Sequence, residues 1–289
     1  MKRKALANFT NRAVLLPLGL LACSGVVSAS DIDVEGSVNW NNNTTGSLTI
    51  TLGSTTSTVR AGEPALTVNE VIDNSASGVD PILPAGLSDV PEIGDFSSYA
   101  WCIDPLQSAA SNVTYTWDLV ALEDAPYPGP AMMDNADDMR LLFGNVYSSV
   151  LGGTAPITGL SYNATDLFNA FQLAIWEISK ETSDTYSLSG IDGGVFQATA
   201  PTAAIDLAEG WLTELNALND ADDTTVSAFT MPAANNLFAL ESSSKQDYIV
   251  AIDIPGGGTT PVPLPAAVWL FGSALLGMVG VGYRRRKES

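Results

Sequence analysis

The hydrophobic positions of this chain change their period, from alternation near the start to helical spacing in the middle. Residues 47–52 (SLTITL) alternate between apolar and polar side chains, which predicts a strand. Residues 96–103 and 113–122 are aromatic and β-branched, which predicts two further strands. Residues 73–95 carry Pro and Gly and few apolar runs, so we expect a loop there.

Three later segments carry apolar side chains three and four positions apart, which is typical of helices. They are residues 134–150, 166–181 and 203–218. Thr165 is the expected N-cap of the second helix. Residues 236–240 and 247–254 then return to strand character.

The order of strands, helices and strands predicts the fold class. We expect an α+β protein with a β-sandwich-like antiparallel core and a helical insertion. A single ectodomain should run from residue 31 to residue 254.

The charges divide the chain into two basic ends and an acidic middle. The sequence has 12 Lys and Arg, 32 Asp and Glu and no His, for a net charge of -20. Between residues 30 and 260, four basic residues stand against 31 acidic ones, a net charge of -27. This balance argues against nucleic acid as a partner, because the phosphates would be repelled. Without His, catalytic triads, Cys-His pairs and His-ligated metals are excluded, so we expect no metal, no cofactor and no enzymatic turnover.

The N-terminus reads as a signal peptide covering residues 1–29. Its basic region holds Lys2, Arg3, Lys4 and Arg12, an apolar stretch follows, and small residues precede Ser30 for signal peptidase. A first transmembrane helix is the alternative, disfavoured by Pro17 and Gly19. A second alternative is a lipobox-like LLAC sequence, which would make Cys23 a lipidated N-terminus.

The C-terminus reads as a membrane segment. Residues 266–283 (AAVWLFGSALLGMVGVGY) hold no charge and are just long enough to span a bilayer. A basic stop-transfer tail follows and should stay cytoplasmic. The tail consists of Arg284, Arg285, Arg286 and Lys287. A Gly-rich linker at residues 255–262 separates this segment from the ectodomain. A buried core helix is the alternative, and the abrupt basic end disfavours it.

A short Pro-containing motif precedes the apolar segment. It consists of Val262, Pro263, Leu264, Pro265 and Ala266. Together with the helix and the Arg-rich tail, residues 263–289 resemble the PEP-CTERM sorting signal in its VPLPA form. The resemblance implies a Gram-negative bacterium in which an exosortase, a membrane cysteine protease, cleaves near the motif. It also implies an inner-membrane intermediate and a final place at the cell surface or in an exopolysaccharide matrix.

Two residues of the predicted ectodomain are candidates for a chemical role. Signal cleavage removes Cys23 and leaves Cys102 as an odd thiol, which is consistent with an intermolecular disulfide, a reactive thiol or a buried inert one. Gln172 falls at the edge of the apolar stripe of its predicted helix. A buried, unpaired amide costs on the order of 1–3 kcal/mol, so this side chain should have a specific partner.

The surroundings of both residues resemble the thioester domain of bacterial surface adhesins. The segment Trp101-Cys102-Ile103-Asp104 precedes Phe171-Gln172-Leu173-Ala174-Ile175-Trp176 in the order found in that family, over residues 95–215. Phe171 stands where Thr is common. The resemblance implies that the Cys102 thiol and the Gln172 amide condense into an internal thioester with loss of ammonia. Its flanking residues would be Trp101, Asp104, Phe171, Ala174 and Trp176.

Other residues favour less specific interpretations. Cys102 could instead be a small buried hydrophobe and Gln172 a hydrogen-bonded core amide. Glu177 and Glu181 could form a carboxylate pair for glycoside hydrolysis, but their helical spacing leads us to expect both in water.

The expected function is that of an exported adhesin-type module. Its thioester would capture a nucleophile on an extracellular polysaccharide or a surface-protein amine. The alternative is a non-covalent carbohydrate-binding or structural matrix protein with the same sorting signal.

Overall fold

The computed structural model describes most of the chain between residues 30 and 252. The described residues are 30–107, 109–125, 135–153, 162–181, 185–189, 194–199, 201–219, 227–229, 234 and 236–252. The predicted signal peptide at residues 1–29, the predicted linker at 255–262 and the predicted sorting signal at 263–289 lie outside them. Within the described part of the chain, no helix is both long enough and apolar enough to cross a membrane.

Nine strands form two antiparallel sheets in the described residues. They are β1 (Ile32–Trp40), β2 (Gly46–Leu52), β3 (Thr55–Ala61), β4 (Pro64–Asp73), β5 (Trp101–Cys102), β6 (Thr114–Ala121), β7 (Phe196–Thr199), β8 (Leu237–Glu241) and β9 (Tyr248–Ala251). The larger sheet has the order β4-β1-β6-β8-β9-β5, and the smaller has the order β3-β2-β7. Strand β1 shows why a sheet forms here: Ile32, Val34 and Val38 are buried while the side chains between them are partly exposed.

The larger sheet curls until its two edges are joined through one segment of chain. Tyr99 forms an antiparallel bridge with Ala65 of β4, and the Ala100 N–H donates to the Pro64 carbonyl at 3.0 Å. On the other side, the Ser97 N–H donates to the Ala251 carbonyl of β9 at 2.7 Å. This segment leads directly into β5, where Cys102 lies.

The helices cover the sheets. Helix α1 (Ala136–Leu142) continues through a π-helical turn (Phe143–Tyr147) into α2 (Ser148–Leu151), and α3 (Ala164–Lys180) and α4 (Thr202–Asn219) follow. Helix α3 contacts β5 of the larger sheet, all three strands of the smaller sheet and the other helices. All side chains from Leu167 to Ser179 are therefore buried, so α3 is a central helix with no solvent face.

The α+β class is confirmed, as are the strands at residues 47–52 and 113–122, the two late strands and the three helices. The strand predicted at 96–103 is mostly wrong: only Trp101–Cys102 is regular, because the rest of the segment makes isolated bridges to two different strands. The N-cap of α3 is Asn163, which accepts from the Asp166 N–H at 2.9 Å, and not Thr165. Thr165 lies in the first turn and donates to the Asn43 carbonyl instead.

Candidate functional site

The side chain of Gln172 binds the backbone of Cys102 on both sides. Gln172 Nε2 donates to the Cys102 carbonyl at 2.8 Å, and the Cys102 N–H donates to Gln172 Oε1 at 3.2 Å. Both residues are buried: Cys102 is 4% exposed and Gln172 is completely inaccessible. The two residues that the sequence singled out, 70 positions apart, are thus in direct contact.

The position of Cys102 in the sheet explains this pairing. On one side, β5 pairs with β9, and Cys102 lies opposite Tyr248. That pair does not use the peptide groups of Cys102, which point to the other side of the strand. Strand β4 begins at Pro64, next to Ala100, and does not extend as far as Cys102. The amide of Gln172 therefore takes the place of a neighbouring strand and satisfies the N–H and C=O of an edge residue.

This pairing also fixes the orientation of the amide relative to the strand. The Gln172 amide bonds to both peptide groups of Cys102, as a neighbouring peptide group would. The carboxamide of Gln172 is therefore held directly beside the residue that carries the thiol.

Aromatic rings enclose one side of the pair. The ring of Trp101 lies edge-on to Phe171 with centroids 4.7 Å apart, and it stacks on Phe168 at 5.7 Å. Phe143 and Tyr147, from the π-helical turn, pack against Phe171 in turn, at 5.0 and 6.0 Å. Trp101 and Phe171 thus form a closed apolar wall next to Cys102 and Gln172.

The C-terminal half of α3 is tied to the chain that follows Cys102. Ser179 Oγ donates to the Ile103 carbonyl at 3.0 Å, and Lys180 Nζ forms an ion pair with Asp104 at 3.3 Å. Both side chains of the ion pair are largely buried. The register of α3 along β5 is therefore held at Gln172 and again two turns later. Of the remaining expected flanking residues, Ala174 is fully buried and Trp176 lies on the cavity described below.

The thiol of Cys102 is held in its neutral form. Burial, and secondarily the nearby charges of Asp104 and Asp247, raise the pKa of the Cys102 thiol well above its ordinary value. A thiolate is therefore scarce at neutral pH, so Cys102 is a poor target for oxidation or alkylation in the folded state.

A cavity of about 560 Å³ lies on the other side of Cys102. Its lining includes Cys102 and Trp176 at the inner end and polar side chains further out, among them Asn39, Arg60, Ser111 and Asn112. The volume lies within the range of small-ligand sites. Cys102 is thus shielded by aromatic rings on one side and approached by a cavity on the other.

The expectation that Glu177 and Glu181 face water is wrong. Glu177 has no exposed surface and Glu181 is 5% exposed. Glu177 Oε1 accepts from the Ser187 N–H at 2.7 Å, and Glu181 Oε2 accepts from the Val195 N–H at 3.1 Å. Both act as acceptors for loop backbone because α3 is covered on all sides. Burial raises the pKa of Glu177 to about 8, with the Ser187 N–H opposing the shift and Glu181 and Glu209 adding to it.

Sequence reasoning missed several residues around the site. Lys180, Ser179 and Gln246 hold the segment after Cys102, and Arg60 lies on the cavity. The sequence offers one indication that Arg60 and Lys180 matter, because they are two of only four basic residues between positions 30 and 260. Among the described residues, no group of three or more His, Cys, Asp or Glu side chains is arranged to hold a metal ion.

Comparison with known proteins gives no match: no family model, no curated protein and no solved structure is similar to this chain.

Proposed function

We propose that Cys102 and Gln172 form an internal thioester and that the ectodomain is an exported module for covalent attachment. The observation that supports this most directly is the two-sided hydrogen bonding of the Gln172 amide to Cys102. The fold thereby holds a buried carboxamide in direct contact with the backbone of a buried cysteine.

The chemistry follows from that arrangement. The Cys102 sulfur attacks Cδ of Gln172, a tetrahedral intermediate forms, the C–N bond breaks, and ammonia leaves with the thiol proton. The negative charge of the intermediate develops on Oε1, to which the Cys102 N–H already donates. Well-oriented intramolecular groups reach effective molarities of up to about 10⁵–10⁸ M, so positioning favours the reaction of the Cys102 thiol with the adjacent amide.

The product would be a protected acyl group. The aromatic wall around Trp101 excludes water from one side, and the cavity leaves a route for a partner amine or hydroxyl on the other. Attack by that partner transfers the Gln172 acyl group to it and restores the thiol. The event occurs once per molecule, so the protein acts as a crosslinker and not as an enzyme.

The sorting signals complete the proposal. With the signal peptide at residues 1–29 and the PEP-CTERM-like segment at 263–289, the module would be exported, held briefly in the inner membrane and released by an exosortase-type protease. The cell surface or extracellular matrix is where a covalent attachment module would meet polysaccharides or surface proteins.

A non-covalent matrix protein is the second candidate, and one observation favours it. The Gln172 amide already satisfies the peptide groups of an edge residue, which is a sufficient structural reason for its burial. In that case Gln172 closes the sheet and the cavity alone is the functional feature.

Intact mass spectrometry separates the two candidates. The thioester form is lighter than the sequence mass of the purified protein by one ammonia molecule. Methylamine opens the thioester to an N-methylamide, so the treated protein should be heavier than the thioester form by one methylamine molecule and heavier than the sequence mass by one CH₂ group. Cys102→Ala should show neither effect, and it is a matched control because it keeps the backbone groups that Gln172 binds. A wild-type protein with the full sequence mass and no methylamine adduct would overturn the thioester and leave the matrix protein.

A further inference from the structure

The cavity next to Cys102 is lined by a positively charged side chain, Arg60, which is unusual in this acidic protein. Four cationic side chains stand in the described domain, and three of them are engaged. Arg140 pairs with Glu123 at 2.7 Å, Lys180 pairs with Asp104 at 3.3 Å, and Lys245 lies 5.3 Å from the ring centroid of Tyr115. Arg60 is exposed, lines the cavity and has no acidic partner in the described part of the chain.

An unpaired guanidinium at the mouth of a cavity favours a carboxylate. Its planar fork of N–H donors matches the two carboxylate oxygens, and this match is lost in Lys. The surrounding protein is strongly acidic, so the positive charge at this point is a local exception to the net charge of the domain. A cationic amine would be attracted to most of this surface but not to Arg60.

The rest of the lining favours hydroxyl groups. Asn39 Oδ1 accepts from Ser111 Oγ at 3.1 Å and from Asn112 Nδ2 at 3.3 Å, and the Trp40 N–H donates to Ser111 Oγ at 3.3 Å. These bonds fix a row of short polar side chains along the cavity wall. The half-buried Trp40 adds an aromatic surface against which a sugar ring can pack.

One residue of the cavity lining carries a donor without an acceptor. Trp176 lines the cavity and is 2% exposed, and its indole N–H has no acceptor among the described residues. A buried donor without an acceptor is unfavourable, so a ligand oxygen that reached it would gain a hydrogen bond.

We propose that this cavity binds an acidic saccharide, with Arg60 on a uronic-acid carboxylate and the ring hydroxyls along Asn39, Ser111 and Asn112. This inference rests on the proposed function for its chemical step and deepens it by naming the class of partner. A hydroxyl of the bound sugar attacks the Gln172 acyl carbon, the C–S bond breaks, and the hydroxyl proton passes to the Cys102 sulfur. The product is an ester between the sugar and the Gln172 side chain.

The binding step can be tested without the thioester. Full-length Cys102→Ala protein would be titrated calorimetrically with oligogalacturonate, with the neutral galactose oligomer of equal length, with spermidine and with a Glu-rich peptide. We expect binding of oligogalacturonate, and at least tenfold weaker binding of the neutral oligomer, of spermidine and of the peptide. Added salt should weaken the interaction, because Arg60 is exposed and its charge is screened.

Substitutions at Arg60 identify the contact. Arg60→Gln should weaken oligogalacturonate binding at least tenfold, whereas Arg60→Lys should retain part of the affinity. Neither should change the melting temperature, because Arg60 is exposed and forms no ion pair with another described residue. The proposal is overturned if the neutral oligomer binds equally well, if the peptide or spermidine binds in preference, if nothing binds, or if Arg60→Gln has no effect.

These outcomes are independent of the thioester. Methylamine incorporation into the wild-type protein, measured beside the titrations, reports the thioester alone, because methylamine carries no carboxylate for Arg60. A failed sugar titration with normal methylamine uptake would reject the ligand class alone. Sugar binding by a protein that never incorporates methylamine would reject the thioester alone.

Discussion

Gln172 Nε2 lies 2.8 Å from the Cys102 carbonyl oxygen, and Gln172 Oε1 lies 3.2 Å from the Cys102 backbone nitrogen, so one amide pairs with one residue as a neighbouring strand would. The helix that carries Gln172 is central and buried, and the strand that carries Cys102 is only two residues long. The contact therefore joins α3 to the point where the larger sheet closes on itself.

The first prediction separates the structural role of Gln172 from its chemistry. Cys102→Ala and Gln172→Ala both lack any crosslink, but only Gln172→Ala loses the two buried hydrogen bonds. At about 1 kcal/mol for each bond, with a cavity term in addition, Gln172→Ala should be less stable than Cys102→Ala by about 2–4 kcal/mol. Urea unfolding of both variants measures the difference. Equal stability would contradict the edge-capping role.

The second prediction concerns the aromatic wall. Trp101 is 1% exposed and contacts both Phe168 and Phe171, so Trp101→Ala should cost about 3–5 kcal/mol in unfolding free energy. Water admitted next to the acyl group should also shorten the life of a thioester, which intact mass over time would detect. Trp101→Phe keeps a ring against Phe171 and serves as the control, with a smaller loss of stability. A Trp101→Ala variant as stable as the parent would show that the wall does not support the fold.

The third prediction concerns pH. The pKa of Glu177 is raised to about 8 in the folded protein from an ordinary value of 4.5, so the folded state retains a proton that the unfolded state releases. Stability should therefore fall as pH rises from about 4.5 to about 8. Each unit of pKa corresponds to about 1.4 kcal/mol, so Glu177→Gln should gain on the order of a few kcal/mol over the parent at pH 8 and little at pH 4.

Thermal unfolding at several pH values would measure this effect. Glu70→Gln removes the same charge from an exposed position and should leave the pH profile nearly unchanged. Part of the slope should persist in Glu177→Gln, because burial also raises the pKa of Glu241, to about 7. A profile identical to that of the parent would show that Glu177 is ionised in the folded protein.

The fourth prediction concerns export. Proline fixes its own φ and disfavours helix at the residue before it, so from the sequence we expect Pro263 and Pro265 to make the motif a suitable protease site. Replacing both with Ala should leave the protein in the inner membrane, as cell fractionation would show. Replacing Pro255, in the linker, provides a matched control that should be sorted normally. Normal release of the double variant would reject the sorting motif.

The sequence alone determined the features that depend on residues close together in the chain. Alternating positions identified residues 47–52 as a strand, and three- and four-residue spacing identified the helix around Gln172, because each pattern records burial of one face of one element. The motif around Cys102 and Gln172 also singled out two residues that prove to be in contact.

Only the tertiary structure decided the features that depend on how one helix or strand packs against another. A periodic pattern does not show whether the polar face of a helix is covered by another element. It therefore predicts Glu177 in water, although this side chain is completely buried in a helix that packs against α4 and the smaller sheet. Nor does such a pattern show that the segment before Cys102 bridges β4 and β9. It also does not show that Arg60 from β3 and Trp176 from α3 line the same cavity. These contacts join residues far apart in the chain, and they exist only once the sheet has curled and α3 has been enclosed.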